Sequence, residues 1–92
     1  MKKITILIAD DHKLVRQTWE FIFNRDERFQ VIAECATGEE AIEISRELRP
    51  DVVIMDINLP GISGLEATLQ IRKFSPGSKI IAVSMHTQPS YA

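Results

Sequence analysis

Apolar residues along this chain fall in two alternating kinds of run. Ile4 to Ala9, Val52 to Met55 and Lys79 to Ser84 are short, mostly branched-aliphatic and flanked by polar or turn residues, the mark of strands buried on both faces. Phe29 to Ala36 is more mixed and supplies a fourth strand. Between the strands the period changes. From His12 to Asn24 the residues Leu14, Val15, Trp19, Ile22 and Phe23 recur at three- and four-residue spacing, which predicts a helix laying that stripe on the sheet, with Arg16, Gln17 and Glu20 outward. Phe21 falls off the stripe and is expected at the surface. Thr37 followed by Glu40 forms a capping box for a second helix with stripe Ala41, Ile42, Ser45 and Leu48, and Pro50 ends it nearby. Ser63 and Glu66 repeat the device for a third helix, closed by Ser75-Pro76-Gly77, and Pro89-Ser90 is placed to begin a fourth.

Strands alternating with helices of this length imply an α/β fold with a parallel sheet, right-handed crossovers and helices on both faces. A ligand of such a sheet sits beyond the carboxyl ends of the strands. Composition narrows the function without naming it. Ninety-two residues, 45% hydrophobic and 26% charged, make one globular domain. A net charge of -2 leaves no electrostatic footprint for nucleic acid or an anionic membrane in these residues. Cys35 is the sole cysteine, which excludes an intrachain disulfide and suits a reducing cytoplasm; it reads as a small apolar residue. The apolar runs are too short to span a bilayer, and Asp10 and Asp11 interrupt the signal-like start Met1-Lys2-Lys3 before an apolar core forms. A cytoplasmic protein is expected.

The predicted carboxyl ends are acidic. The first strand delivers Asp10 and Asp11, and the third delivers Asp56. Neighbouring strands lie about 4.8 Å apart, so adjacency of these two brings the carboxylates into one small volume. Like charges so close repel unless a cation sits among them. Oxygen donors suit a hard ion such as Mg²⁺, which keeps waters and leaves room for phosphate oxygens. Asp11 as a helix cap and Asp56 as a strand-end residue are each plausible alone; their joint occurrence, with Ser84 closing another strand, points to a site. The turn-rich segment Asn58, Pro60, Gly61 and Gly64 can aim the Asn58 carbonyl at the same ion. His12 reads as a polar helix-start residue.

The runs Ile8-Ala9-Asp10-Asp11-His12, Pro50-Asp51-Val52-Val53-Ile54-Met55-Asp56-Ile57-Asn58-Leu59-Pro60-Gly61 and Ile81-Ala82-Val83-Ser84-Met85-His86 resemble the receiver domain of bacterial two-component response regulators, in particular those carrying a LuxR-type helix-turn-helix output domain. The resemblance covers the whole chain. It implies a flavodoxin-like doubly wound sheet of strand order 2-1-3-4, with Asp56 accepting a phosphoryl group from a sensor histidine kinase. It implies Mg²⁺ on Asp10, Asp11, Asp56 and the Asn58 carbonyl, and Ser84 as the switch hydroxyl. Such a domain is a signalling element rather than an enzyme, assisting its own phosphorylation and dephosphorylation and controlling an output domain that binds DNA. The family's fifth strand with its lysine, an aromatic switch partner and the last helices have no counterpart before Ala92, so residues 1–92 are expected to be a receiver incomplete at its C-terminus.

A phosphatase of the haloacid dehalogenase type also places an aspartate nucleophile after a buried strand beside Mg²⁺. Its second carboxylate two residues on is here Asn58, which leaves no acid for the leaving group. A nucleotide-binding half-domain would need a glycine-rich turn where Asp10-Asp11-His12 stands. With order 2-1-3-4 the strand Lys79 to Ser84 becomes an edge without a charge within Ile80 to Val83, so a homodimer through that edge, segment exchange or aggregation is a further expectation.

Overall fold

The computed structural model describes residues 2–83. The elements are β1 (Ile4–Ala9), α1 (Lys13–Asn24), β2 (Phe29–Cys35), α2 (Gly38–Leu48), β3 (Val52–Asp56), α3 (Gly64–Phe74) and β4 (Lys79–Val83). The strands form one parallel sheet in the order β2-β1-β3-β4, as the resemblance implies. The crossover between the two halves of the chain therefore sets β1 beside β3 and brings their carboxyl ends together. Pairing of β1 with β2 slips at one point: Ile6 lies opposite Val31 but Leu7 opposite Ala33, so Ile32 is an extra residue in the outer strand.

Alternation along each strand divides the core in two. Leu7, Ala9, Cys35, Val53 and Met55 face α2 and α3, where Ala41, Leu59, Ala67 and Ile71 complete the packing. Ile6, Ile8 and Ile54 face the other way, toward Trp19 and Phe23 of α1 and Phe29 of β2. Trp19 stacks on Phe23 with ring centroids 5.6 Å apart, and Phe23 meets Phe29 edge-on at 5.4 Å. Burial pushes the Cys35 thiol up to about 12, which suits a packing residue rather than a nucleophile.

The first capping box is closed from both sides, though one residue off the standard pattern: the Thr37 hydroxyl accepts from the Glu40 amide (3.1 Å), and Glu40 reaches past the Thr37 cap to accept from the Ala36 amide (3.0 Å). The second is one-sided. Ser63 accepts from the Glu66 amide at 3.1 Å, but the Glu66 carboxylate turns along the helix to accept from Gln70 at 3.0 Å. Arg49 ends α2 in the left-handed region (φ 47°), donating its amide to Ser45, immediately before Pro50.

Two predicted stripes are broader than the surfaces they meet. No residue of α1 is fully buried, and Leu14 (75% exposed) and Ile22 (50% exposed) stand in water. Because α1 packs mainly on β2 and β1, only the Trp19 and Phe23 edge of its stripe reaches the sheet; the rest lines a shallow apolar groove with Val15 and Thr18. Leu48 is likewise exposed at the end of α2. Phe21 is exposed, as expected. Among the described residues β4 is the other margin of the sheet, and Ile81 on it is half exposed. No helix among these residues is long and apolar enough to cross a membrane.

Candidate functional site

Asp10 is the first residue beyond β1 and Asp56 the last of β3. Both are 2% exposed, whereas Asp11 is open to solvent. One donor atom from each of Asp10, Asp11, His12 and Asp56 falls within 4.8 Å of the others. Local hydrogen bonds orient the buried pair. Asp10 Oδ1 accepts from the His12 amide (2.8 Å) and lies 2.9 Å from His12 Nδ1. Asp56 Oδ1 accepts from the Asn58 amide at 2.9 Å. Asp10 Oδ2 is buried with no hydrogen-bond partner among the described residues. A buried carboxylate oxygen left without a donor costs free energy comparable to a lost charged hydrogen bond unless a ligand or water satisfies it. The donor set, three carboxylates with one oxygen already waiting, fits a hard divalent cation.

The segment after Asp56 is held from several sides. The Ile57 amide donates to the Val83 carbonyl (3.0 Å), and Leu59 is buried in the core. Gly61 takes φ 83°, in the left-handed region, and a side chain there would collide with the Glu39 carboxylate that accepts from the Ile62 amide.

The structure thus gathers Asp10, Asp11 and Asp56 as the sequence implies and ties Asn58 to Asp56 through its amide. Ser84 lies outside the described residues; Val83 before it is the register partner of Asp56. Two further participants are His12 and Arg16. His12 is the N-cap of α1, but its side chain makes no cap; Nδ1 instead sits 2.9 Å from Asp10 and 3.1 Å from Asp11. The hydrogen bond to Asp10, then the Asp11 charge, hold the exposed imidazole above the usual histidine range. Arg16, read from periodicity as outward, folds back so that Nη1 donates to the Asp10 carbonyl at 2.7 Å. Helical side chains lean toward the N-terminus, so a long cation one turn inside a helix that follows an acidic strand end is the signal that could have revealed it.

The sequence matches the response regulator receiver domain over residues 6–92. The chain belongs to that family. It is 39% identical over 89 residues to the transcriptional regulatory protein DegU of Brevibacillus brevis, covering 97% of this chain and 38% of that protein. To response regulator GacA of Pseudomonas aeruginosa it is 40% identical over 82 residues, 89% of this chain and 38% of that one. A two-component response regulator of the LuxR family from Aurantimonas superposes with a TM-score of 0.84 at 37% identity, over 94% of this chain and 61% of that structure. The response regulator domain of Thermotoga maritima CheB gives 0.85 at 32% identity, over 97% and 66%. This receiver therefore spans about two fifths of the length of these curated relatives.

Proposed function

We propose that Asp56 of this receiver is the phosphoacceptor, that Asp10, Asp11, Asp56 and the Asn58 carbonyl hold Mg²⁺, and that the phosphoryl donor is a sensor histidine kinase. The observation that carries the reading is the unpartnered Asp10 Oδ2, buried beside the Asp56 carboxylate. The Asn58 amide engages Asp56 Oδ1 and so fixes the rotation of that carboxylate, leaving Oδ2 to attack phosphorus in line. The new P–O bond forms as the P–N bond of the phosphohistidine breaks, and the leaving imidazole nitrogen keeps the electron pair and takes up a proton. Mg²⁺, when bound, would supply positive charge to the phosphoryl oxygens. Asp10 and Asp11 would hold the cation that offsets phosphoryl charge rather than transfer protons, and Asn58 offers no acid for a phosphatase leaving group, which disfavours the dehalogenase-type alternative.

The Ser84 hydroxyl is the switch group of this reading, and residues 1–92 are the receiver part of a longer regulator. The LuxR-family neighbours support a DNA-binding output domain and transcription regulation, and a cytoplasmic location belongs to the same reading. Treatment with a phosphohistidine donor or acetyl phosphate in Mg²⁺, followed by intact-mass analysis, tests the chemistry. One acid-labile phosphoryl group on the wild type and none on Asp56→Asn is the expected pair; equal labelling of both moves the acceptor elsewhere. Self-association through β4, the margin of the sheet among the described residues, belongs to the same reading, with light scattering of wild type against Ile81→Lys as its check.

A further inference from the structure

Asp10 is clamped through both of its main-chain polar groups, and both clamps lead to β2. Its amide donates directly to the Cys35 carbonyl at 3.0 Å. Its carbonyl accepts from Arg16 Nη1 at 2.7 Å, and Arg16 Nε lies 3.4 Å from Glu34 Oε1 on β2. The Arg16 and Glu34 side chains are only 19% and 28% exposed, so the contact is partly shielded from water and stronger than a surface pair. Ile8 pairs with Glu34 and Ala9 with Cys35 in the strand register, so the guanidinium extends the β1 to β2 ladder by one rung past the end of the sheet.

We propose that Arg16 is a positioning residue that sets the divalent-cation affinity of the Asp10, Asp11 and Asp56 cluster by holding the main chain of Asp10. The inference rests on the reading of that cluster as the cation site of the receiver. Three converging carboxylates favour relaxation of the chain away from one another, and at Asp10, where the strand ladder gives way to a turn, these main-chain bonds oppose it. Pinning its carbonyl keeps the Asp10 carboxylate in the cluster before a cation arrives, so little ordering accompanies binding. Two other roles for Arg16 predict different signs. A mere nearby positive charge repels a cation, and its removal raises affinity. A purely structural ion pair leaves affinity unchanged in any variant that folds.

The test measures Mn²⁺ affinity of the 92-residue chain, by the electron paramagnetic resonance signal of free Mn²⁺, for wild type, Arg16→Met, Arg16→Lys and Glu34→Gln. Arg16→Met is expected to weaken binding on the order of tenfold, as loss of an outer positioning group does. Arg16→Lys, which keeps a donor for the Asp10 carbonyl, recovers part of the loss, and Glu34→Gln produces a smaller loss in the same direction. Phosphorylation of Arg16→Met by acetyl phosphate should need more Mg²⁺ for half-maximal rate while approaching the wild-type rate at saturation. Unchanged or tightened Mn²⁺ binding in folded Arg16→Met overturns the proposal. Should that variant not fold, wild-type affinity in Glu34→Gln overturns it equally. Failure of the wild type to bind Mn²⁺ or accept phosphoryl at all strikes the function itself, whereas intact wild-type binding with indifferent variants strikes Arg16 alone.

Discussion

Asp51 and Asp56 bracket the same strand, and their carboxylates live in opposite circumstances. Asp51, exposed before β3, is saturated: Oδ2 accepts from the Thr5 amide (2.8 Å) and hydroxyl (3.1 Å), while the Asp51 amide donates back to Thr5 Oγ1 at 2.9 Å. Its carbonyl receives the Lys79 amide, and the Ser75 and Ser78 hydroxyls close the neighbouring turn onto Pro50. Asp56, buried at the other end, sits in a cluster where a neighbouring carboxylate oxygen has no donor. Ordinary packing demands the reverse, full pairing for what is buried and tolerance for what is exposed. The amino end of the sheet thus locks β1, β3 and β4 together, while the carboxyl end holds repulsion in reserve for a ligand.

That contrast is open to direct attack by replacing one aspartate at each end. Asp10→Asn removes a charge from the reserved end, and the metal-free protein should gain about 1–3 kcal/mol of stability from relieved desolvation and repulsion, a rise of several degrees in thermal midpoint for a domain this size. The increase that Mg²⁺ gives the wild type through selective binding to the native state should vanish with it. Scanning calorimetry in chelator and in Mg²⁺ reads both effects, and a fall of the metal-free midpoint would mean that no repulsion is stored there.

Glycines sharpen the same comparison. A Cβ on Gly64, behind Asp56, would lie 2.8 Å from the Ile57 Cα and 3.3 Å from the Asp56 carbonyl. Because both are backbone, Gly64→Ala is expected to cost about 1–3 kcal/mol in denaturant unfolding and to weaken the response to Mg²⁺. At the amino end a Cβ on Gly77 meets nothing within 4 Å, so Gly77→Ala should be neutral or slightly stabilising. Equal losses from both substitutions would erase the distinction between the ends.

The smallest effect is the one most dependent on pH. Bonds from the Thr5 amide and hydroxyl hold the Asp51 carboxyl below its ordinary value. A depressed folded-state pKa contributes stability above the unfolded value near 3.8, and this is lost as pH falls through the folded value. Asp51→Asn should therefore lower the thermal midpoint modestly at pH 7 and hardly at all near pH 2. A difference between the two proteins that persists undiminished into acid would assign the effect to geometry rather than ionisation. Asp26 follows the same sign: Arg28 lowers it to about 2, so its exposed contribution fades only at the acid extreme.

Strands and the acidic cluster were legible from residue pattern because both obey short-range rules. Continuous branched-aliphatic runs mark strands, buried on both faces in Ile6 to Ala9 where strands flank both sides but half exposed in Ile80 to Val83 at the margin, contrary to the expectation for that run, and Asp10 and Asp56 stand where such runs stop. Helix faces were less legible, since periodicity gives the direction of a stripe and not the width of what it meets; Leu14, Ile22 and Leu48 are apolar by period and exposed by geometry. Glu66 shows a similar limit, for the same spacing that lets Glu40 reach back to a preceding amide leaves Glu66 free to prefer Gln70. Arg16 was missed because a helical wheel treats side chains as radial, whereas a long one folds along the axis to the strand end before it.

The slipped register between β1 and β2 bears on how copies of this chain can combine. With Ile32 inserted opposite no partner, the outer margin at β2 is irregular in register, and Gln30 and Glu34 belong to it; such a margin is a poor template for another strand. The margin at β4 is regular and aliphatic. A sheet with one adhesive side joins only like to like: two copies meeting β4 to β4 about a two-fold axis consume the adhesive side of each and present β2 at both outer limits. The self-association proposed above would on this arrangement be self-terminating, a closed pair rather than a growing fibre.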